Sequence, residues 1–441
     1  MKRVFILAVD GTPFTFLQKA MAEGIMPNLA NLAKEGQFRQ MDSVIPPISS
    51  VAWASFMTGE RPAGHGIFGF VERDPSTMDW YVPLSDRLQA RTIWDELTAA
   101  GKRLFSMNVP LTYPPRPVNG IQICGFLGND ITKGTYPPEI GTLLKARGYR
   151  IDSDVELAKI DLSAFYEQLL AILDKRVETL WHFWSQEEWD FFMVHIMETD
   201  RLHHFFWQFM EEGHPHWAVK FYDFYRHIDG VIGQIVQRIP PEMPLLLLSD
   251  HGFTTLKKEF YLNRWLWENG FLQFTKKIPG TLNDLAPQTK AYSLYPGRIY
   301  IHLQGREKNG SVAPGQSYIE VRRHIREKLL AVVDPQSGLP IMDKVFYGED
   351  LFEQRGLILG RAETESFDPR KKNYPDLIAV AQPGYDLKGN LWSEHLFEKT
   401  HFNGMHTGDD AFVLTRNMTL PEQRLCIVDL KAIIMEKMGL V

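Results

Sequence analysis

Continuous apolar runs separated by helical segments constrain this chain more than any other feature. "VFILAV" (4–9), "DFFMVHI" (190–196) and "PLLLLS" (244–249) show no polar alternation, so strands built from them need cover on both faces. Between them lie segments with helical spacing and helix-ending glycines, including "FLQKAMAEG", "MPNLANLAKEG" and "TIWDELTAAGK", the last running into the strand "RLFSMNV" (103–109). The spacing also predicts long amphipathic helices over 162–184 and 216–239. The alternation predicts an α/β fold, a three-layer α/β/α sandwich with a mainly parallel central sheet. From about residue 254 the texture changes: "RIYIHL", the polar turn "GREKNGSVAPGQ" and the helix "YIEVRRHIREKLLAVV" predict an inserted α+β subdomain. The expected division is a core of 1–253 and 376–441 with an insertion, 254–375, beside the carboxyl edge of the sheet. A chain of 441 residues, 44% of them apolar, has material for this arrangement.

Composition excludes several functional classes. A net charge of −6 provides no global attraction to a nucleic acid polymer or an anionic membrane. Cys124 and Cys426 are the only cysteines, with no C-x-x-C, so neither a disulfide framework nor a thiolate metal site is expected. "MKRVFILAVDG" has the basic start of a weak signal peptide, but its apolar run ends at Asp10 without a small-residue cleavage site. It reads as a buried strand. No run approaches the roughly 18 apolar residues of a spanning helix, and a cytoplasmic protein acting on a small molecule is expected.

In such sheets chemistry gathers at the carboxyl ends of the strands. Asp10 ends the first strand, Asp200 and His204 follow "DFFMVHI", Asp250 and His251 end "PLLLLS", and His406 lies in the loop "HFNGMHTGDD" before "AFVLT". If "DRLHHFF" begins a helix, Asp200 and His204 share one face and can grip one ion. Asp250 and His251 point to opposite sides of a regular strand but converge where the chain turns. Three aspartates and three histidines without a thiolate suit a hard-to-borderline divalent metal, zinc first, with manganese as a substitute. Ser49 and Ser50, after "IPP" and before an apolar run, read on their own as a helix N-cap. The aromatic stretch "HHFFWQF" reads as core rather than pocket wall.

Taken in order, Asp10 in "AVDG", a hydroxyl after "PP", "TG..P..HGI", "D...H", "SDHG" and the late "G.H" of His406 resemble the signature of the alkaline phosphatase superfamily. The chain is most similar to its type I phosphodiesterase/nucleotide pyrophosphatase branch, and within it to bacterial and archaeal phosphohydrolase/phosphomutase-like members. "NVPLTYPP", "TYPPEIG", "GREKNG", "DPQSG" and "YPDLIAV" extend the likeness over nearly the whole length. The resemblance implies a hydrolase of phosphoric esters that binds two divalent metal ions and forms a covalent phosphoserine on Ser49, with Ser50 outside the chemistry. One ion would be held by Asp10, Ser49, Asp250 and His251, the other by Asp200, His204 and His406. The implied substrate is a small diester or nucleotide-like molecule. A phosphomonoesterase, phosphonate hydrolase or phosphomutase using the same metals is the alternative, and a non-catalytic binding protein a remote one. A sulfatase is disfavoured, because the formylglycine motif is missing around Ser49. Where nucleotide pyrophosphatases carry a phosphoryl-binding asparagine after "HGI", this chain has Phe70, and Asn108 is the candidate replacement. His65 is expected to be a structural hydrogen-bonder, and His203 and His401 non-ligands.

Overall fold

In the computed structural model, which describes residues 3–352, 368–369 and 373–440, the apolar runs form the middle of a nine-stranded sheet. Its order across the sheet is Leu425–Cys426, Gln37–Asp42, Ala411–Arg416, Leu245–Leu248, Val4–Val9, Phe191–Ile196, Leu104–Val109, Gly120–Cys124 and Thr135–Tyr136. The five strands from Leu245–Leu248 to Gly120–Cys124 are mutually parallel. Ala411–Arg416 runs antiparallel to both its neighbours. All six residues of Val4–Val9 are buried, which is why that strand carries no polar alternation. Phe5, Leu7 and Val9 pack into a core shared with the helices Phe14–Ala22, Pro27–Glu35, Leu162–Trp184, Glu198–Glu211 and Trp217–Arg238. On the opposite face, Leu430–Met438 packs on Val4–Val9 and Ile93–Ala99 on Leu104–Val109, with Ser49–Thr58 between those two helices. The layers are therefore helix, sheet, helix.

The chain divides into two compact units, residues 1–65, 84–255 and 401–441 in one, and 66–83 and 256–400 in the other. The second unit holds an antiparallel sheet ordered Ala291–Leu294, Arg298–Ile301, Leu377–Ala381, Met342–Tyr347, and a three-stranded sheet around Lys258–Tyr261. Residues 353–367 and 370–372 of the expected insertion lie outside the described residues. Buried ion pairs bind 66–83 into this unit: Arg73 with Glu307 at 2.8 Å and Glu72 with Arg298 at 3.0 Å. No helix among the described residues is long and apolar enough to cross a membrane.

Candidate active site

The parallel strands deliver their carboxyl ends to one edge. Asp10 follows Val4–Val9, Asn108 lies at the end of Leu104–Val109, and Asp250 and His251 lie just past Leu245–Leu248. Asp200 sits in the first turn of the Glu198–Glu211 helix that follows Phe191–Ile196, with His204 one turn on. Because Ala411–Arg416 is antiparallel, its start lies at the same edge, preceded by Gly404–Thr407, where His406 pairs across from Phe253. Gln37–Asp42 also ends there and leads to the helix that Ser49 opens.

All seven expected donors meet. Ser49 Oγ lies 3.4 Å from Asp10 Oδ1 and 3.3 Å from His251 Nε2. His251 Nε2 is 3.4 Å from Asp250 Oδ2, 3.6 Å from Asp10 Oδ1 and 4.0 Å from Asp200 Oδ1. On the other side Asp200 Oδ1 is 3.1 Å from His406 Nε2 and 3.5 Å from His204 Nε2. Among the described residues, Asp200, His204 and His406 form one group able to hold an ion, and Asp10, Asp200 and His251 another.

The atoms that do not face this centre are tied elsewhere. His204 Nδ1 donates to the Gly404 carbonyl, His251 Nδ1 to that of Gly252 and His406 Nδ1 to that of Pro47, at 3.2, 3.0 and 2.9 Å. A carbonyl only accepts, so each bond puts the proton on Nδ1 and the lone pair on the inward Nε2. Asp10 Oδ2 accepts from Trp53 Nε1 at 2.9 Å and His195 Nε2 at 2.8 Å. Asp250 Oδ1 accepts the Gly11 amide at 3.1 Å. Gly11 has φ +64, and a Cβ there would lie 2.8 Å from Phe253 and 3.0 Å from His251. Asp200 Oδ2 accepts from Arg201 Nη1 at 2.9 Å, and Arg201 also grips Asp152 through Nε and Nη2 at 3.0 and 2.6 Å. Trp53, His195, Arg201 and Asp152 are the site residues that sequence reasoning missed. The one signal available was a lone histidine inside an otherwise apolar strand.

The donor set fits divalent cations. Burial, then the Asp10 and Asp200 charges, hold the Asp250 carboxyl well above its usual range. Burial also raises Asp10, but the bond and charge of His195 outweigh it, leaving that carboxyl below its usual range. Asp200 likewise lies well below, its histidines and Arg201 overcoming burial. Burial lowers His251 to about 3 and His204 to about 4. Asp250 Oδ2 is buried without a hydrogen bond. His204 and His406 direct two Nε2 lone pairs at each other across 3.1 Å. A cation in each group would relieve the defect on its own side.

The serine pair corrects the capping expectation. The N-cap of Ser49–Thr58 is Ile48, with no side-chain cap bond. Neither serine holds the helix end, and Ser50 Oγ is buried without a partner. Ser50→Ala is therefore expected to leave stability unchanged or raise it by about 1 kcal/mol, measured by chemical denaturation; a clear loss would show a bond to Ser50 Oγ.

Asn108 is fully buried at φ +66; its Oδ1 accepts from Tyr149 Oη at 3.4 Å and its amide nitrogen has no partner. Phe70 belongs to the second unit. His65 bonds Ser55 Oγ at 3.0 Å, and His203 donates to the Gly11 carbonyl and accepts from Tyr225 Oη. His401 is exposed. Phe205, Phe206 and Trp207 are buried in the core, as the aromatic stretch predicted.

The sequence matches the model of the type I phosphodiesterase/nucleotide pyrophosphatase family over residues 4–409. The chain belongs to that family, a group of phosphoric ester hydrolases within the alkaline phosphatase superfamily. No curated protein matches it. Among solved structures it is similar to phosphonoacetate hydrolase from Sinorhizobium meliloti 1021 in complex with phosphonoformate, with a TM-score of 0.65 at 19% identity, covering 99% of this chain and 95% of that one. It is also similar to an inactive murine ectonucleotide pyrophosphatase/phosphodiesterase 5 in complex with AMP, with a TM-score of 0.60 at 14% identity over 100% and 96% of the two chains. The human form of the latter gives 0.58 at 15% identity, over 100% of this chain and 95% of that one. At these identities the likeness establishes the fold.

Proposed function

We propose that the protein is a two-metal phosphodiesterase or nucleotide pyrophosphatase-like hydrolase that works through a covalent phosphoserine on Ser49. The observation that carries this reading is the convergence of seven donors whose remaining polar atoms are already occupied, so that the inward atoms are free for ions and substrate. Asp10, Ser49, Asp250 and His251 would hold one divalent ion, and Asp200, His204 and His406 the other; zinc suits the donors, and manganese can substitute. When bound, such ions supply the positive field that lowers the serine pKa and stabilises charge on the leaving oxygen.

The chain's own groups do the rest. Ser49 Oγ gives up its proton to solvent and forms a bond to phosphorus as the bond to the leaving oxygen breaks, that oxygen taking the bonding pair and then a proton from solvent. Water then attacks the phosphoserine, its oxygen bonding to phosphorus as the Ser49 Oγ–P bond breaks and serine regains a proton. The first helical bonds of Ser49–Thr58 run from Val51 and Ala52 to the Ile48 carbonyl, which leaves the Ser49 and Ser50 amides outside the ladder. These amides and the positive helix end favour an anionic phosphoryl group. Asn108, with an unpartnered amide at the same sheet edge, would donate to a phosphoryl oxygen in place of the family asparagine.

A hydrolysis screen of the zinc-loaded protein tests the reading, with aryl phosphate diesters, nucleotides, aryl monoesters, phosphonates and sulfates as substrates. Diesters or nucleotides should turn over fastest. Preference for monoesters or phosphonates would transfer the same site to the alternative reading, and no turnover with two ions bound would end the catalytic one. Asn108→Ala should raise KM or lower kcat about tenfold or more if its amide meets the phosphoryl group; unchanged constants would remove it from the site.

A further inference from the structure

We propose that the two ion sites are unequal, the one at Asp200, His204 and His406 being the labile one, and that Arg201 on that side and His195 with Trp53 on the other are the positioning residues that make them so. The inference rests on the two-ion reading and adds to it an order of ion release.

Two features of the geometry and the proposed donor assignment point the same way. The first is access. The side chains of Asp10, Asp250 and His251 are 0% exposed, whereas His204 is 17% and His406 10% exposed. Water must reach an ion for it to leave, and the second group is the more open to it. The second is donor count on the proposed assignment, in which four side chains would face the first ion and three the second. The third is what holds the outward oxygen of each aspartate. Asp10 Oδ2 accepts from an indole and an imidazole N–H, which fix the carboxylate without the permanent charge of a guanidinium. Asp200 Oδ2 accepts from a guanidinium that also grips Asp152. That fixed positive charge shares the Asp200 carboxylate and repels a dication on its other oxygen. Asp152 takes up part of the Arg201 charge and so limits the repulsion.

Arg201 and His195 lie beside the donors but offer no atom to the ions, and their replacement should move one release rate each. The full-length chain loaded with zinc, mixed with excess chromogenic chelator, should release two ions per chain in two phases separated by about tenfold or more. In His406→Ala the fast phase should disappear. Arg201→Gln keeps an N–H donor without the charge and should slow the fast phase alone. Asp152→Asn, which leaves the Arg201 charge directed at Asp200, should speed it. His195→Phe should speed the slow phase alone. Release of two ions in a single phase, or a fast phase that survives in His406→Ala, would overturn the inference while leaving the two-ion reading standing. Fewer than two bound ions per wild-type chain would instead remove that reading, and the inference with it.

Discussion

Replacing Ser49 by alanine should lower turnover on the order of 10³-fold or more while the protein remains folded. The two halves of that expectation have separate causes. On the proposed mechanism the substitution removes the attacking oxygen and one expected metal donor together. Stability is spared because Ser49 does not cap the helix: Ile48 occupies the N-cap position and no side chain caps that end. The Oγ contacts of Ser49 are all to the cleft residues Asp10 and His251. Acid-quenching the wild type during turnover and mapping the phosphorylated peptide should place the phosphate on Ser49. Phosphate on Ser50, or undiminished activity in Ser49→Ala, would mean that another group attacks.

Asp200→Asn should be the most damaging single change among the carboxylates. Family resemblance assigns this residue to one ion, but its Oδ1 lies 3.1 Å from His406 Nε2, 3.5 Å from His204 Nε2 and 4.0 Å from His251 Nε2. It stands in both of the groups able to hold an ion. Neutralising it therefore weakens one site directly and removes a balancing charge from the other. Zinc content should fall below one ion per chain, and activity on the order of 10³-fold. His204→Ala, by contrast, should keep one ion. Two tightly held ions in Asp200→Asn would show that the carboxylate is not shared.

The sheet and the inward donors were legible in the sequence for a common reason. Burial on two faces writes itself as an unbroken apolar run, and the first polar residue after such a run marks where the strand meets the edge. Asp10 and Asp250 announce themselves in this way, and the 162–184 periodicity matches the helix Leu162–Trp184. The same rule hides His195. Inside "DFFMVHI" it looks like one more core residue, and only the Trp53 and Asp10 contacts, contributed by segments over 140 residues away, show what it does. Arg201 is hidden in a different way. A charged residue on a helix ordinarily faces solvent, and its pairing with Asp152 depends on a loop that follows no period. The place of 66–83 in the second unit was equally unreadable, since it follows from ion pairs to Glu307 and Arg298 more than 200 residues on. The serine pair misled for a local reason: composition favours a serine cap, but the helix starts one residue earlier, with Ile48 at the N-cap position and no side-chain cap bond.

The helix that begins with Ser49 has every residue buried from Ser49 to Thr58. A segment with no solvent-facing side has no cheap local way to open, so its inner amides should exchange with deuterium only when the whole unit unfolds. The hydroxyl proposed to react is thus mounted on a segment expected to be among the slowest to exchange. Motion that admits substrate or releases product belongs to other segments, and a hydrogen-exchange map should show residues 52–58 silent throughout turnover.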